Sequence, residues 1–254
     1  MKIEMVSAGI LACADDGKVH DFYPRKELPN RKHLKLMSRA DRLGIAAIGR
    51  AIQAAPDWMN VCPDRRGIFV GTMPEGTEPE SLLAGIQAST NATGFSVGAF
   101  GECGVPLVPP LWLVRGLSNN ILGFASSYWD IRGVNGNRCE GRVSGLNAFI
   151  QGVQALLENR ADIVVAGGAD SLVRFQPHTA RRVGEGAAFV VMRRSAEGVA
   201  MTSGSSFGRK TTSPSPVHTK PDVGAVTGLL DWVLDFQERG IVQNIEVHGD
   251  DGAL

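Results

Sequence analysis

Residues 128 to 171, YWDIRGVNGNRCEGRVSGLNAFIQGVQALLENRADIVVAGGADS, decide how this chain folds. Val143 to Glu158 carries apolar side chains over most of a helical surface, which predicts a buried helix. Ala161 to Ser171 is almost continuously apolar and small and ends at Gly167-Gly168, the pattern of a strand covered on both faces in a parallel sheet. Tyr128 to Arg138 reads as a strand before the helix. Strand, helix and strand in close succession make a βαβ unit, and so an α/β protein.

Outward from that unit the same alternation continues. Residues 2 to 12 read as a first strand, Tyr23 to Lys35 as a Pro-containing loop, and Leu36 to Ala54 as an amphipathic helix stopped by Pro56. RGIFVGT (66 to 72) reads as a buried strand, PEGTEPESLLAGIQA (74 to 88) as a helix opened by acidic residues, and Gly116 to Ser127 as another helix. Residues 184 to 206 predict two strands joined at Glu197-Gly198. Lys210 to Pro221 reads as loop, Ala225 to Arg239 as helix, Ile241 to Val247 as a last strand, and Gly249 to Leu254 as a frayed end. Composition agrees with one domain over 1 to 254: 43% hydrophobic, 20% charged and 31 glycines, enough for one core and many tight turns.

Charge and cysteine usage narrow the function classes. Twenty-six Lys and Arg balance 26 Asp and Glu, which argues against a nucleic acid or anionic membrane surface as partner. No run reaches the roughly 18 apolar residues of a membrane span, and the first residues meet acids too early for a signal peptide. Cys13, Cys62, Cys103 and Cys139 are too far apart for metal-ligand spacing, so the expectation is a reduced, cytoplasmic protein with no metal and no cofactor. No Walker loop, GxGxxG, HExxH or GxSxG occurs, and His20, His33, His178, His218 and His248 are scattered among loops and termini.

Five collinear segments resemble the β-ketoacyl synthase family: KLMSRADRLGIAAIGRAI (35 to 52), RRGIFVGT (65 to 72), NNILGFASSYWDIRGVNGN (119 to 137), SGLNAFIQGVQALLENRADIVVAGGAD (144 to 170) and GEGAAFVVM (184 to 192). The resemblance implies a thiolase-like fold, layered α-β-α-β-α, that dimerises, here abbreviated in its second half at about 200 to 254. It also implies a chemistry that this chain departs from. The family's Cys nucleophile stands at the N-terminus of the buried helix, where the helix dipole favours thiolate, and two His stabilise the developing enolate. Its position falls on Arg142, which cannot attack a thioester. An arginine there opposes the helix dipole and should turn toward a carboxylate such as Glu140 or toward a partner chain. VHTKPDVGAVTGLLDWVL (217 to 234) is similar to the segment of the second His, with Lys220 at the family's Lys and Ala225 at the His position. The segment of the first His, HGTxT, has no counterpart. His248-Gly249-Asp250-Asp251 comes after the Lys segment and lacks the Thr residues.

The matching positions before the NNxxG helix, Trp112, Leu113, Arg115, Gly116, Asn119 and Asn120, are implied to line a dimer interface or the partner's acyl tunnel. Trp112 reads equally as a core aromatic. A synthase-like chain without a nucleophile resembles the chain-length-factor subunits of type II polyketide synthases, which pair with an active ketosynthase and shape its cavity. The shortening resembles the small synthase-like partners of aryl polyene clusters. An acyl carrier protein would then dock mainly on the active partner; Arg65-Arg66 and Arg181-Arg182 read either as a basic patch for it or as solvated surface pairs. Two alternatives stand beside this reading: a small acyl-transferring or condensing enzyme using Cys139, itself otherwise a buried or interface cysteine, with His218 or His248 as base, and a homodimeric scaffold.

Overall fold

The computed structural model describes residues 2–73, 80–195, 221–226, 229 and 233. Ten main elements position the candidate site: strand β1 (Lys2–Leu11), helix α1 (Arg39–Gln53), β2 (Arg66–Gly71), α2 (Glu80–Ala88), α3 (Trp112–Arg115), α4 (Asn120–Tyr128), β3 (Asn135–Arg138), α5 (Ser144–Leu157), β4 (Ile163–Ser171) and β5 (Glu185–Ser195). One five-stranded sheet runs in the order β1-β5-β4-β2-β3. β2 is parallel to β3 and β4, and β5 is antiparallel to both of its neighbours, β4 and β1.

Helices cover both faces. α1, returning from β1 to β2, packs its Leu43, Ile45, Ala47, Ile48 and Ala51 face with Ile68, Val70, Val165 and Phe189. α5, joining β3 to β4, packs Ala148, Phe149, Val153 and Leu156 with Phe69, Val164, Ala166 and Val190 on the other face. The alternation of partners along β4 explains its unbroken apolar sequence: Val164 and Ala166 serve one core, Val165 and Ala169 the other. Among the described residues this makes three layers; the other sheet among them is a two-stranded hairpin, Thr90–Asn91 paired with Gly94–Phe95, too small to form the second sheet layer of a five-layered arrangement. Leu229 and Val233 are helical and buried in the α5-side core, together with Val223 and Val226.

Several boundaries differ from those read in the sequence. Tyr128 to Arg138 is strand only over its last four residues, Asn135–Arg138. Tyr128 ends α4, where its hydroxyl bonds His33 Nδ1 at 2.7 Å, and the chain then reverses through Asp130, whose φ is +48°. The helix expected from Gly116 begins at Asn120; Gly116 instead caps the separate short helix α3. The helix expected from Pro74 is described from Glu80. Glu185–Ser195 is one long strand, and the strand expected after Glu197, the strand 241 to 247 and most of the helix 225 to 239 lie outside the described residues.

α1 opens on a reciprocal cap: Ser38 Oγ accepts from Asp41 N at 3.1 Å, and Asp41 Oδ2 accepts from Ser38 N at 2.8 Å and from Asn120 Nδ2 at 3.3 Å. Burial raises the Asp41 carboxyl from 3.8 to about 6, against the opposing pull of those hydrogen bonds and of Arg42. The folded state therefore holds its proton more tightly than the unfolded chain, and this group's contribution weakens as pH rises from about 3.8 through about 6. Asp41→Asn keeps an acceptor for Ser38 and removes the charge. It should match the parent below pH 4 and exceed it by on the order of 2 kcal/mol at pH 8. Urea midpoints for both proteins at the two pH values check this; a constant difference would overturn it.

Candidate functional site

The carboxyl ends of β2 and β4, the start of α5 and the turn at 224–225 converge with almost no side chain between them. A Cβ on Gly71 would lie 2.3 Å from the backbone N of Gly145, and one on Gly145 would lie 2.7 Å from the Ala225 carbonyl. The glycines at 71 and 145 let three backbones touch where a helix N-terminus meets the sheet. Gly141 turns the chain into the helix with a φ of +69°. Ser144, fully buried, completes the helix start: its hydroxyl donates to Gly141 O and accepts from Glu140 N, both at 2.7 Å.

Arg142 sits in the single turn Gly141–Val143 that leads into α5. Its guanidinium grips Asp222, with Nε 3.1 Å from Oδ2 and Nη2 on the same oxygen. Asp222 is tied in turn: Oδ1 accepts from Gly224 N at 3.0 Å, its carbonyl accepts from Gly184 N at 2.8 Å, and its N–H donates to Arg182 O at 2.8 Å. The next residues are fixed by the buried Asp170, whose Oδ2 accepts from Ala225 N at 3.1 Å. The positions read as nucleophile and second histidine, Arg142 and Ala225, are thus brought to one place. What occupies it is an ion pair and a methyl group. Neither can form a thioester or polarise a carbonyl as a histidine does.

Arg142 turns toward a carboxylate, as the sequence reading expected, but the acid is Asp222 and not Glu140, the example it gave. The Glu140 carboxylate accepts from Arg138 Nη1 at 3.2 Å and from Asn147 Nδ2, and among the described residues Asp222 is an acid that reaches Arg142. Asp222 was absent from the sequence reading although it lies two residues before Gly224 in the segment that was matched; only the fold shows that 222 and 142 meet.

Cys139 follows β3 and is exposed, not buried. Its sulfur lies 3.3 Å from Thr72 Oγ1 and 3.5 Å from Asn137 Nδ2. Thr72 already donates to Ser118 O at 3.1 Å, so the thiol is the donor between them. Neither neighbour is a base.

The proposed interface positions divide. Leu113 on α3 is 66% exposed and Asn119 is exposed, while Trp112, Arg115 and Gly116 are half-buried. Arg115 Nε donates to Lys35 O at 3.0 Å. Asn120 turns inward instead: Nδ2 donates to Val114 O at 2.7 Å and reaches Asp41, so it joins α4 to α3 and α1. Along the excursion from α2 to α4, Leu83, Phe95, Val97, Val105, Leu107 and Leu117 are exposed as well. This concentration of large apolar side chains was not seen in the sequence, because periodicity alone does not tell which face of a short helix lacks a neighbour. Among the described residues, no group of His, Cys, Asp and Glu could hold a metal, and no helix is long and apolar enough to cross a membrane.

No protein-family model and no curated protein sequence matches the chain. Solved structures do. The mixed sheet between helices is a thiolase-like fold, and ketosynthases are among the solved structures that share it. One is a type II polyketide synthase acyl-carrier protein in complex with its ketosynthase bound to the hexaketide (TM-score 0.58, 17% identity, 76% of this chain and 62% of that one). A second is the ishigamide ketosynthase/chain length factor (TM-score 0.55, 16% identity, 76% and 58%). A third is a β-ketoacyl synthase from Burkholderia phymatum STM815 (TM-score 0.56, 16% identity, 76% and 59%). The chain has the ketosynthase fold, and the match spans about three fifths of the length of each of those chains.

Proposed function

We propose that this protein is a non-catalytic, chain-length-factor-like subunit that pairs with an active β-ketoacyl synthase in a type II polyketide or aryl polyene pathway. The observation that carries the reading is the Arg142–Asp222 pair beside Ala225, at the place where a synthase of this fold needs its nucleophile and a histidine. Two surfaces support the pairing. β3 ends the sheet, with β2 on one side and no strand on the other among the described residues. The apolar excursion from Leu83 to Leu117 is more hydrophobic surface than scattered exposure leads one to expect. In this reading the active partner makes and holds every covalent intermediate, and the carrier protein docks mainly on that partner. Leu113 and its neighbours fill space at the interface and set the depth of the partner's tunnel.

Co-expression with the ketosynthase encoded nearest to this gene should give a one-to-one complex. Its condensing activity should vanish when the partner's active-site cysteine is replaced and persist with Cys139→Ala. Arg142→Cys should leave this chain inactive on its own, since position 225 is an alanine. One observation favours the second reading, an enzyme that uses Cys139: the thiol is exposed. Acylation of the isolated chain by a thioester probe, lost in Cys139→Ser, would replace the pairing reading with that one.

A further inference from the structure

Asn30, half-buried His33 and Tyr128 form a chain of hydrogen bonds in which the place of each proton follows from one backbone contact. Asn30 caps the short helix Arg31–Leu36, and its Oδ1 accepts from Lys32 N at 3.0 Å. That bond fixes the amide, so the atom 3.2 Å from His33 Nε2 is Nδ2, which can only donate. Nε2 is therefore the bare nitrogen. The ring proton sits on Nδ1 and is donated to the Tyr128 hydroxyl at 2.7 Å. Burial pushes the Tyr128 phenol up, so that end of the chain keeps its own proton. The ring also stacks on Tyr128, with centroids 5.7 Å apart, and lies 5.4 Å from Phe124. A neutral His33 thus fastens the segment 30–36 to α4. From the same segment, the Lys35 carbonyl accepts from Arg115 Nε at 3.0 Å, which ties it to α3 and so to the helix that carries the exposed Leu113.

We infer that His33 is a proton-operated latch: neutral, it holds the segment 30–36 closed on α4, and protonated, it lets that segment and α3 loosen. A second ring proton on Nε2 would set N–H against N–H across 3.2 Å, with no acceptor between them. Relief has two routes. Either the ring leaves Asn30, or the amide rotates to offer its oxygen and abandons the Lys32 N–H that it caps. Both undo the start of the helix. The charged groups around the ring do not compensate an imidazolium. Its own segment supplies Arg31, Lys32 and Lys35; α1 supplies Arg42, whose Nη2 donates to Leu34 O at 2.9 Å and Met37 O at 3.1 Å; and α3 supplies Arg115. No acid lies between Leu28 and Ala40, and α4 carries no charged residue. The acids of the flanking segments are engaged elsewhere: Glu27 with Arg50, Asp41 in the α1 cap, and Asp130 with Arg132. The latch belongs to this chain alone and stands whether or not the pairing reading does.

Amide hydrogen exchange of the full chain at pH 7.5 and pH 5.5 tests it, read as protection relative to the intrinsic rate at each pH so that the pH dependence of exchange itself cancels. The expected result in the parent is a loss of protection of about fivefold or more at pH 5.5 in the amides of 31–36 and of α3. Two variants carry the decision, because Asp41, at about 6, titrates in the same window. Asn30→Asp keeps an oxygen for Lys32 N and turns the other toward Nε2, where a carboxylate of ordinary pKa about 3.9 accepts from the protonated ring. It should hold its protection at pH 5.5. His33→Gln has no titrating group and should show the same protection at both pH values. Undiminished protection in the parent at pH 5.5, or a parent-like loss in either variant, would overturn the latch. So would a ring proton found on Nε2 at pH 7.5 by nitrogen-15 resonance of the histidine ring. Opening of 31–36 with α3 still protected would overturn the link to α3.

Discussion

Glu185→Ala is expected to cost about 2–3 kcal/mol, because it leaves the Val19 N–H and the Ser171 hydroxyl without their acceptor, while the half-exposed Arg39 can turn to water. The carboxylate at the start of β5 is 4% exposed and ties together Arg39 of α1, Val19 of the loop after β1, and Ser171 at the end of β4. Without it Arg39 keeps only the Val19 carbonyl at 3.2 Å, and the Val19 N–H and Ser171 hydroxyl lose their acceptor. Against a total stability of roughly 5–15 kcal/mol, such a loss is a large fraction of the whole. Urea unfolding should show a large fall in midpoint at unchanged slope; a shift of less than about 1 kcal/mol would mean that water replaces the carboxylate easily. The same group sets an acid limit. Burial pulls its carboxyl upward, but the Arg39 bond, the Val19 N–H and the Arg39 charge outweigh it and hold the group below its ordinary 4.5. Its contribution is complete above that value and is lost as pH falls through the lowered one, opposite in sign to Asp41.

Gly71→Val should be at least as severe, for a different reason. A Cβ at this position would lie 2.3–2.4 Å from the Ser144 and Gly145 backbone, and backbone cannot swing aside as a side chain can. Relief requires α5 to leave the sheet, which opens the core of Phe149, Val153 and Leu156 over β4. We expect a loss of 3 kcal/mol or more, with a partial loss for Gly71→Ala. Soluble expression and thermal midpoints of the two variants check the order; a valine variant as stable as the parent would show that the helix start is not in contact with β2.

Much of this was readable from residue order. The β4 run and the α5 face predicted the central βαβ unit because each must be apolar on nearly every side, and a doubly covered strand has no solvent face to disguise the pattern. The end of α4 was misjudged because Tyr128, Trp129 and Ile131 have strand-like composition, while tertiary contacts with His33 and a backbone bond from Ile131 N to Ser126 O hold them as a helix end and turn. The candidate site was half legible. Arg142 and Ala225 were named from the motifs, and they do come together. Asp222 was not named, because an acid partner 80 residues away leaves no periodic trace. Asn120, assigned to an interface by its place in the NNxxG segment, turned out to hydrogen-bond within its own chain.

The pairing of β1 with β5 sets the order in which the protein can assemble. Lys2 lies opposite Ser195 and Leu11 opposite Ala187, and among the described residues β1 has no other strand beside it. During synthesis the first strand must therefore wait, unpaired, for nearly two hundred further residues, which at ordinary translation rates is roughly 10–40 seconds. In that interval α1 can lie against β1 but cannot complete its core, since Phe189 and Val191 of that core are still to be made. Of the described strands, β5 emerges last and closes the sheet between β1 and β4, a long-range pairing of the kind that slows folding.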